Sequence, residues 1–295
     1  MSFVVITDTS SNLEPVQIAD DLLEVIPFSY YIDGKEHNIV KDSGFDAEEF
    51  YARIRKGLKV TTSQIPPQQY ADFFEKFLRL GKDIIFVCMS SGISGSCNSA
   101  FIAARMLMEA YPGRIIEVVD TLGASLGEGL IALHAARLRK LGCSVTEAAE
   151  ELRIRSRRMC NIFTVDDLMH LRRGGRLSNL SAVVGTVLQI KPLLKGNSEG
   201  KIVAFEKIRG RKRSIEALAE AYNKLVVEPE KQIVGIAQAS CREDAARLAD
   251  LIRAKRPPKE ILTVEYEPVT GSHVGPGALA LFFESTDDVR TYGDE

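Results

Sequence analysis

The chain reads as an α/β protein, with an N-terminal three-layer α/β domain built on a mostly parallel sheet and a C-terminal α+β domain after it. Three observations lead there. In the first half, short β-branched runs alternate with longer segments of helical period. Those runs show little polar alternation, as expected of parallel strands covered by helices on both faces. After about residue 160 the texture changes to hairpins mixed with helices, which suits an α+β unit better than a second doubly wound sheet. The 295 residues exceed the ordinary ~100–200 of one domain. We therefore expect two domains, 1–159 and 160–295.

Taken in order, FVVIT (3–7) is the first strand, and a helix is expected over 15–24. DIIFVCMS (83–90) and RIIEVVD (114–120) are further strands, followed by helices over 99–109 and 127–141; a charged helix over 145–158 closes this half. Then come strand-like NIFTV (161–165), helix-like DDLMHL (166–171), RRGGR, a long apolar stretch over 177–194 and hairpin-like KGNSEGKIVAF (195–205). Two more helical segments and a terminal strand complete the chain. EPEKQ and RPPKE are surface connections, and no internal repeat or low-complexity tract is present.

Composition excludes some partners. A net charge of −2 with 45% hydrophobic residues supplies no basic field for phosphate backbones, so nucleic acid is not expected. No stretch reaches the ~18 uninterrupted apolar residues of a transmembrane helix, and the chain opens into a strand without a basic leader. A cytoplasmic protein is expected. The five cysteines, Cys88, Cys97, Cys143, Cys160 and Cys241, are widely spaced with no CxxC and no histidine at zinc-ligand spacing. They read as reduced packing residues, and no metal is expected.

Three hydroxyl-rich loops adjoin first-half strands: TDTSSNL (7–13), VTTSQIPP (60–67) and SSGISGSCNSA (90–100). A crevice at the carboxyl ends of a parallel sheet is where such loops would meet. The third brings Ser90, Ser91, Gly92, Ser94, Gly95 and Ser96 to the start of a helix, where unpaired N–H groups and a partial positive charge suit an anion. The structural alternative is that these serines cap the helix and fill a turn. Neither GxxxxGK[ST] nor GxGxxG opening a helix is present, so no nucleotide site of its own is assigned.

A GxSxG at Gly123-Ala124-Ser125-Leu126-Gly127 lies after a strand and before a helix, as a hydrolase nucleophile elbow would. With Asp166 or Glu265 as acid and His273 as base, the order serine, acid, histidine would match an α/β-hydrolase. Against this, the strand ends near Asp120 and no HGGG-like loop precedes it. His273 itself stands in TGSHVGPGALALFF (270–283), just before a Gly-Pro-Gly hinge that either presents the ring or is steadied by it. Arg176 follows a Gly-Gly turn and is either a helix-ending cation or a group facing the first domain. The stretch 177–194, with Val183, Val184, Val187, Leu188, Ile190, Leu193 and Leu194, packs the second domain or lines an apolar tunnel. RGRKR (209–213) is a solvated face or a dock for an acidic partner.

TDTSSNL, TTSQIPP, SSGISGSCNSA, VVDTLGASLGEG, DDLMHLRRGGRLS, LQIKPLL, EKIRGRKRSIEAL and GSHVGPGALALFF, in this order, resemble the DegV family of bacterial fatty-acid-binding proteins nearly end to end. The GGR, IKP and HVGPGA elements are the most telling. The resemblance implies two domains enclosing one long-chain fatty acid between them, with no cofactor besides that ligand and no catalysis by this chain alone. It implies an acyl-carrying subunit of a bacterial fatty-acid kinase, whose separate ATP-binding subunit phosphorylates the carboxylate. Carried over by motif, Thr62 and Ser94 bind the carboxylate; beyond that carry-over, Ser63, Gly95, Arg176 and His273 are expected near the head group or where the partner docks. The chain departs from the family pattern at Gln64-Ile65-Pro66, where many relatives resemble TSQPS, and at Ser96 and Cys97, where a threonine and an aromatic often stand. Two other readings stand beside it: a serine-dependent lipid hydrolase using Ser125 and His273, and a protein binding a sugar or small acid.

Overall fold

The structure, a computed structural model, describes residues 3–40, 45–178, 190–286 and 289–293. Its first half runs β1 (Val4–Asp8), α1 (Pro15–Asp20), β2 (Leu23–Ile26), β3 (Tyr30–Ile32), β4 (Lys35–His37), α2 (Ala47–Arg55), β5 (Val60–Thr62), α3 (Pro67–Leu78), β6 (Ile84–Cys88), α4 (Ser96–Ala110), β7 (Ile116–Asp120), α5 (Leu126–Lys140) and α6 (Val145–Arg158). The second runs β8 (Met159–Thr164), α7 (Met169–Arg173), β9 (Ile190–Gly196), β10 (Ile202–Arg209), α8 (Arg211–Leu225), β11 (Ile233–Gln238), α9 (Arg242–Lys255), β12 (Glu260–Glu265), α10 (Pro268–Val274) and β13 (Leu279–Glu284).

Four strands form a parallel sheet in the order β2-β1-β6-β7. Helices α3 and α4 pack together against it, as do α5 and α6, giving the expected three layers. Every residue of β6 is buried, which is why its sequence lacks polar alternation. The parallel arrangement brings the ends of β1, β6 and β7 to one edge, where crevices form in such sheets.

The second sheet is mixed, in the order β10-β9-β8-β13-β11-β12. Its strands pair antiparallel except β11 and β12, which α9 joins as a parallel crossover. The β9–β10 hairpin falls on the KGNSEGKIVAF segment. Successive side chains of a strand point to opposite faces, and this divides the sheet's contacts. Cys160, Ile162, Leu279, Leu281 and Phe283 enter a core with α8 and α9. The intervening Asn161, Phe163 and Phe282 face the first sheet. Helix α5 lies between the two sheets, touching β1 and β6 on one side and β8, β11 and β13 on the other. Its small residues follow from that position: a Cβ on Gly129 would stand 2.6 Å from the Ser11 carbonyl oxygen. One apolar core, including Val5, Ile85, Ile131, Phe163 and Phe282, is continuous across both sheets. Each such buried side chain contributes about 1.5–3 kcal/mol.

Several expectations are corrected. The helix expected over 15–24 stops at Asp20, because Leu22 turns to φ +49° and Leu23–Ile26 pairs with β1, burying Leu23 and Ile26. The helix expected from residue 99 begins at Ser96, and the one from 127 at Leu126. The helix over 145–158 stands as read, fixed by a capping box of Ser144 and Glu147. A small antiparallel sheet, β4-β3-β5, escaped the pattern because its strands have three residues each. Within RGRKR, Arg211 is half-buried and paired with Asp244 at 2.8 Å, while Lys212 and Arg213 are exposed. Val183, Val184, Val187 and Leu188 lie outside the described residues. No helix among the described residues is long and apolar enough to cross a membrane.

Candidate functional site

A cavity of about 870 Å³ of non-atom space opens where the two sheets face each other. Its walls are largely apolar, including Phe28, Met89, Ile93, Phe163, Leu171 and Phe282. Thr62, Ser63, Gln64, Ser94, Arg176 and His273 also line it, so five of the six residues expected at the head group meet on one cavity. Gly95, the sixth, does not line it; a Cβ there would stand 2.1 Å from Oε1 of Gln64, whose side chain does.

Each of these groups is delivered by a short element. Thr62 ends β5, which hydrogen-bonds along β3 and so is held in register opposite Tyr30. The next loop is tied to the third hydroxyl loop, where the Ile65 amide donates to Ser96 Oγ at 3.1 Å. Ser94 Oγ accepts from the Ser96 amide at 3.2 Å just ahead of α4, whose N-cap is Gly95, and Ser94 lines the cavity. Ser90 Oγ donates to the Gly200 carbonyl at 2.8 Å, fastening this loop to the β9–β10 turn. Arg176 follows Gly175, whose φ of +69° makes the turn after α7, and its Nε donates to the Ile93 carbonyl at 3.2 Å.

His273 occupies the last turn of α10 rather than a free turn. Glu267 caps that helix, accepting from the Val269 amide at 2.6 Å and the Thr270 amide at 2.5 Å. Burial nonetheless raises the Glu267 carboxyl to about 7. The Gly-Pro-Gly hinge makes room for neighbouring side chains: a Cβ on Gly275 would meet the His170 ring at 2.3 Å, and one on Gly277 would meet Asp166 Oδ2 at 2.1 Å. Nε2 of His273 lies 2.9 Å from Thr62 Oγ1. Burial, with the Arg176 charge beside it, brings the imidazole down to about 4, so the ring is neutral near pH 7. Hydroxyls, an imidazole and a guanidinium together can satisfy the lone pairs of an anion such as a carboxylate.

Thr62, Arg176 and His273 also line a second, outer cleft that includes Arg55, Lys59, Asp166, His170 and Arg173. The cavity and this surface cleft therefore share a polar partition.

The first hydroxyl loop does not reach the cavity, which corrects the reading of three equivalent loops. Thr7 through Asn12 are buried and serve the protein's own acids. Ser10 Oγ lies 2.5 Å from Asp8 Oδ1 and 2.7 Å from Glu128 Oε2, and Thr7 Oγ1 donates to Glu128 Oε1 at 2.8 Å. A hydroxyl carries one proton, so one of the two Ser10 contacts draws its proton from a carboxyl group. Burial and then the neighbouring Asp8 hold Glu128 well above the ordinary carboxyl range, while burial raises Asp8 to about 6.

Ser125 adopts φ +57°, ψ −142°, the kind of strained strand-to-helix turn that a nucleophile elbow uses. Its hydroxyl meets no base: Nε2 of His273 is engaged by Thr62, and the side chain beside Ser125 is the Tyr266 phenol. Asp166 is paired with Lys191 and Glu265 with Gln238 and the Ser240 amide; neither hydrogen-bonds His273. The hydrolase arrangement is not assembled. Asn161 and Tyr266, which the sequence reading did not single out, also line the cavity. Period-two alternation with Phe163 was the available signal for Asn161; nothing in the sequence marked Tyr266. Among the described residues no group of three His, Cys, Asp or Glu side chains is placed to hold a metal ion.

A family model described as "Uncharacterised protein, DegV family" matches residues 2–286. A DegV domain-containing protein of Clostridium perfringens is 38% identical over 281 residues, covering 95% of this chain and 97% of that one. Among solved structures, a Thermus thermophilus DegV family protein described by its fatty-acid binding superposes with a TM-score of 0.88 at 28% identity, over 97% of this chain and all of that one. DegV of Bacillus subtilis, described as a fatty acid binding protein, gives a TM-score of 0.83 at 30% identity over 97% of this chain and 100% of its own.

Proposed function

The chain belongs to the DegV family, and we propose that it binds one long-chain fatty acid between an N-terminal domain (1–159) and a C-terminal domain (160–295). In this reading Thr62 and Ser94 hold the carboxylate, with Ser63, Arg176 and His273 around it. The chain carries out no chemistry alone; in the cytoplasm it presents the acid to a separate ATP-dependent kinase subunit for acyl-phosphate formation.

The observation that carries the proposal is the shared partition. Thr62, Arg176 and His273 border both an apolar cavity and a surface cleft, so an acid held there has its tail enclosed and its oxygens turned toward the outside. Energetics agree. Each buried methylene contributes ~0.8 kcal/mol, so a chain of ~16 carbons offers roughly 10 kcal/mol before association costs. The ionised head group would cost several kcal/mol without donors, and the hydroxyls with the Arg176 guanidinium offset that cost. A carboxylate kept ionised beside a cation is the form that attacks a phosphoryl group.

Denaturing extraction followed by mass spectrometry should release about one fatty acid per chain, and a chain that neither carries nor takes up one is not a lipid carrier. Thr62→Val and Ser94→Ala should each weaken fatty-acid binding about tenfold, the worth of one hydrogen bond to a charged group. Supplied with ATP and a purified kinase subunit, the loaded chain should yield acyl phosphate. Failure of that step alone would remove the presenting role and leave the binding role standing.

A further inference from the structure

The GxSxG segment was left without a catalytic partner, yet it builds something inside the cavity. Ser125 is only 1% exposed and Asn161 8% exposed, and both line the cavity. Asn161 Nδ2 donates to the Met159 carbonyl at 3.0 Å, which fixes the amide's orientation and turns Oδ1 the other way. That oxygen rests on the backbone of the serine turn: a Cβ would stand 2.8 Å from it on Gly123 and 1.8 Å from it on Gly127. The two glycines of the motif are what admit the amide. The buried Tyr266 phenol stands beside Ser125 and faces the same space. Among the described residues Asn161 Oδ1 has no hydrogen-bond partner, and the side-chain partner within reach of Ser125 is the Tyr266 phenol. A buried polar atom without a partner is costly, and Asn161 and Ser125 both line the cavity beside the start of the fifteen-residue helix α5.

The chemistry of the trio is specific. Asn161 offers an acceptor, while the adjacent hydroxyls of Ser125 and Tyr266, one donating to the other, keep one proton to donate. A carbonyl on the ligand would satisfy only that donor, whereas an alcohol donates to Asn161 and accepts from the hydroxyl pair. Its place along an acyl chain follows from α10, which runs between the Tyr266 end and the His273 end. Seven residues at 1.5 Å rise span ~10 Å, which an extended chain of ~1.5 Å carbon–carbon bonds covers in about eight bonds.

We propose that Ser125, Asn161 and Tyr266 form a second polar station that selects long-chain fatty acids bearing a hydroxyl near mid-chain. The inference rests on the fatty-acid reading above and names its ligand class. In an all-apolar tunnel a mid-chain hydroxyl weakens binding, because it is desolvated without a partner; here it gains partners.

The test is calorimetric titration of the delipidated full chain with octadecanoic acid and with its 3-, 10- and 17-hydroxy derivatives. The 10-hydroxy acid should bind at least as tightly as octadecanoic acid and about tenfold or more tightly than the other two isomers. Ser125→Gly removes the hydroxyl and suits the positive φ, so it should fold, and it should lower the ratio of 10-hydroxy to plain affinity about tenfold. Tyr266→Phe should lower the same ratio without touching the turn. Wild type that prefers octadecanoic acid to every hydroxy isomer overturns the inference while leaving fatty-acid binding intact, and so does an unaltered ratio in both variants. If none of the four acids binds, the fatty-acid reading itself falls and takes this one with it.

Discussion

The hydroxyl loop that ends β1 and the one that ends β6 have similar composition and lie at the same edge of one parallel sheet, yet they do opposite things. Residues 7–10 surround two carboxyl groups of the protein, Asp8 and Glu128, and among the described residues no cation pairs with them. In residues 90–96 the Ser91 amide donates to Asp120 at 3.2 Å, while Ile93 and Ser94, with Thr62, open on an apolar cavity with Arg176 and His273 beside them. One cluster is acids supplied with donors; the other keeps donors on a cavity where the proposed function places a ligand's acid. What separates them is α5, which inserts Glu128 at the first loop and leaves the other open. Hydroxyl-rich composition marks where polar groups converge, and the element packed against the loop decides whether the protein or a ligand satisfies them.

The largest effect expected from breaking this contrast is at Glu128. Glu128→Ala leaves Thr7 and Ser10 without acceptor or donor in a fully buried place and opens a cavity beneath α5. A loss of about 3–5 kcal/mol is expected in urea unfolding, from the cavity and the orphaned hydroxyls together. Thr62→Val and Ser94→Ala should leave the unfolding midpoint nearly in place, because their partners remain reachable by water. Equal destabilisation at both regions would erase the distinction.

Next in size is the response to pH, which should have opposite signs in the two regions. His273 is lowered from 6.5 to about 4 in the folded protein, so the native state binds fewer protons than the unfolded chain between those values. Its contribution is intact above pH 6.5 and is lost as pH falls toward 4, by about 3 kcal/mol at ~1.4 kcal/mol per unit. Asp8 is raised from 3.8 to about 6, so its contribution is full below 3.8 and is lost as pH rises through 6. Chemical denaturation of wild type and His273→Asn across pH 4–7 reads the first: the wild type should lose ground to the variant on acidification. A constant difference would mean that the ring takes up its proton equally in the folded and the unfolded chain.

Much of this was legible in the sequence. The parallel first half, the helix over 145–158 and the β9–β10 hairpin follow from local period and capping, which a single chain displays. Thr62, Ser94, Arg176 and His273 were assembled from motifs far apart in the chain, and they share one cavity. Three things were not legible. Strands of three residues such as β3 and β5 are too short to alternate. Loops 7–13 and 90–100 look alike until the burial of Glu128 separates them. The glycines of the GxSxG pattern serve an asparagine 34 residues beyond Gly127, a contact that exists only after the second sheet has packed on α5.

The smallest expected effect is the most exacting test of the buried cluster. If Glu128 carries the proton that reaches Ser10 Oγ, then an amide in its place keeps all three contacts: Nε2 donates to Ser10, the carbonyl accepts from Thr7, and Ser10 still donates to Asp8. Glu128→Gln should therefore cost no more than about 1 kcal/mol, against several for alanine at the same position. It should also flatten the alkaline side of the stability profile, since Asp8 would no longer face a neighbour that can ionise. A loss as large as that of Glu128→Ala would mean that Glu128 is ionised in the folded protein. The hydroxyls would then be neutralising a charge, as proposed for the head-group cluster, and the two regions would differ only in whose carboxylate they hold.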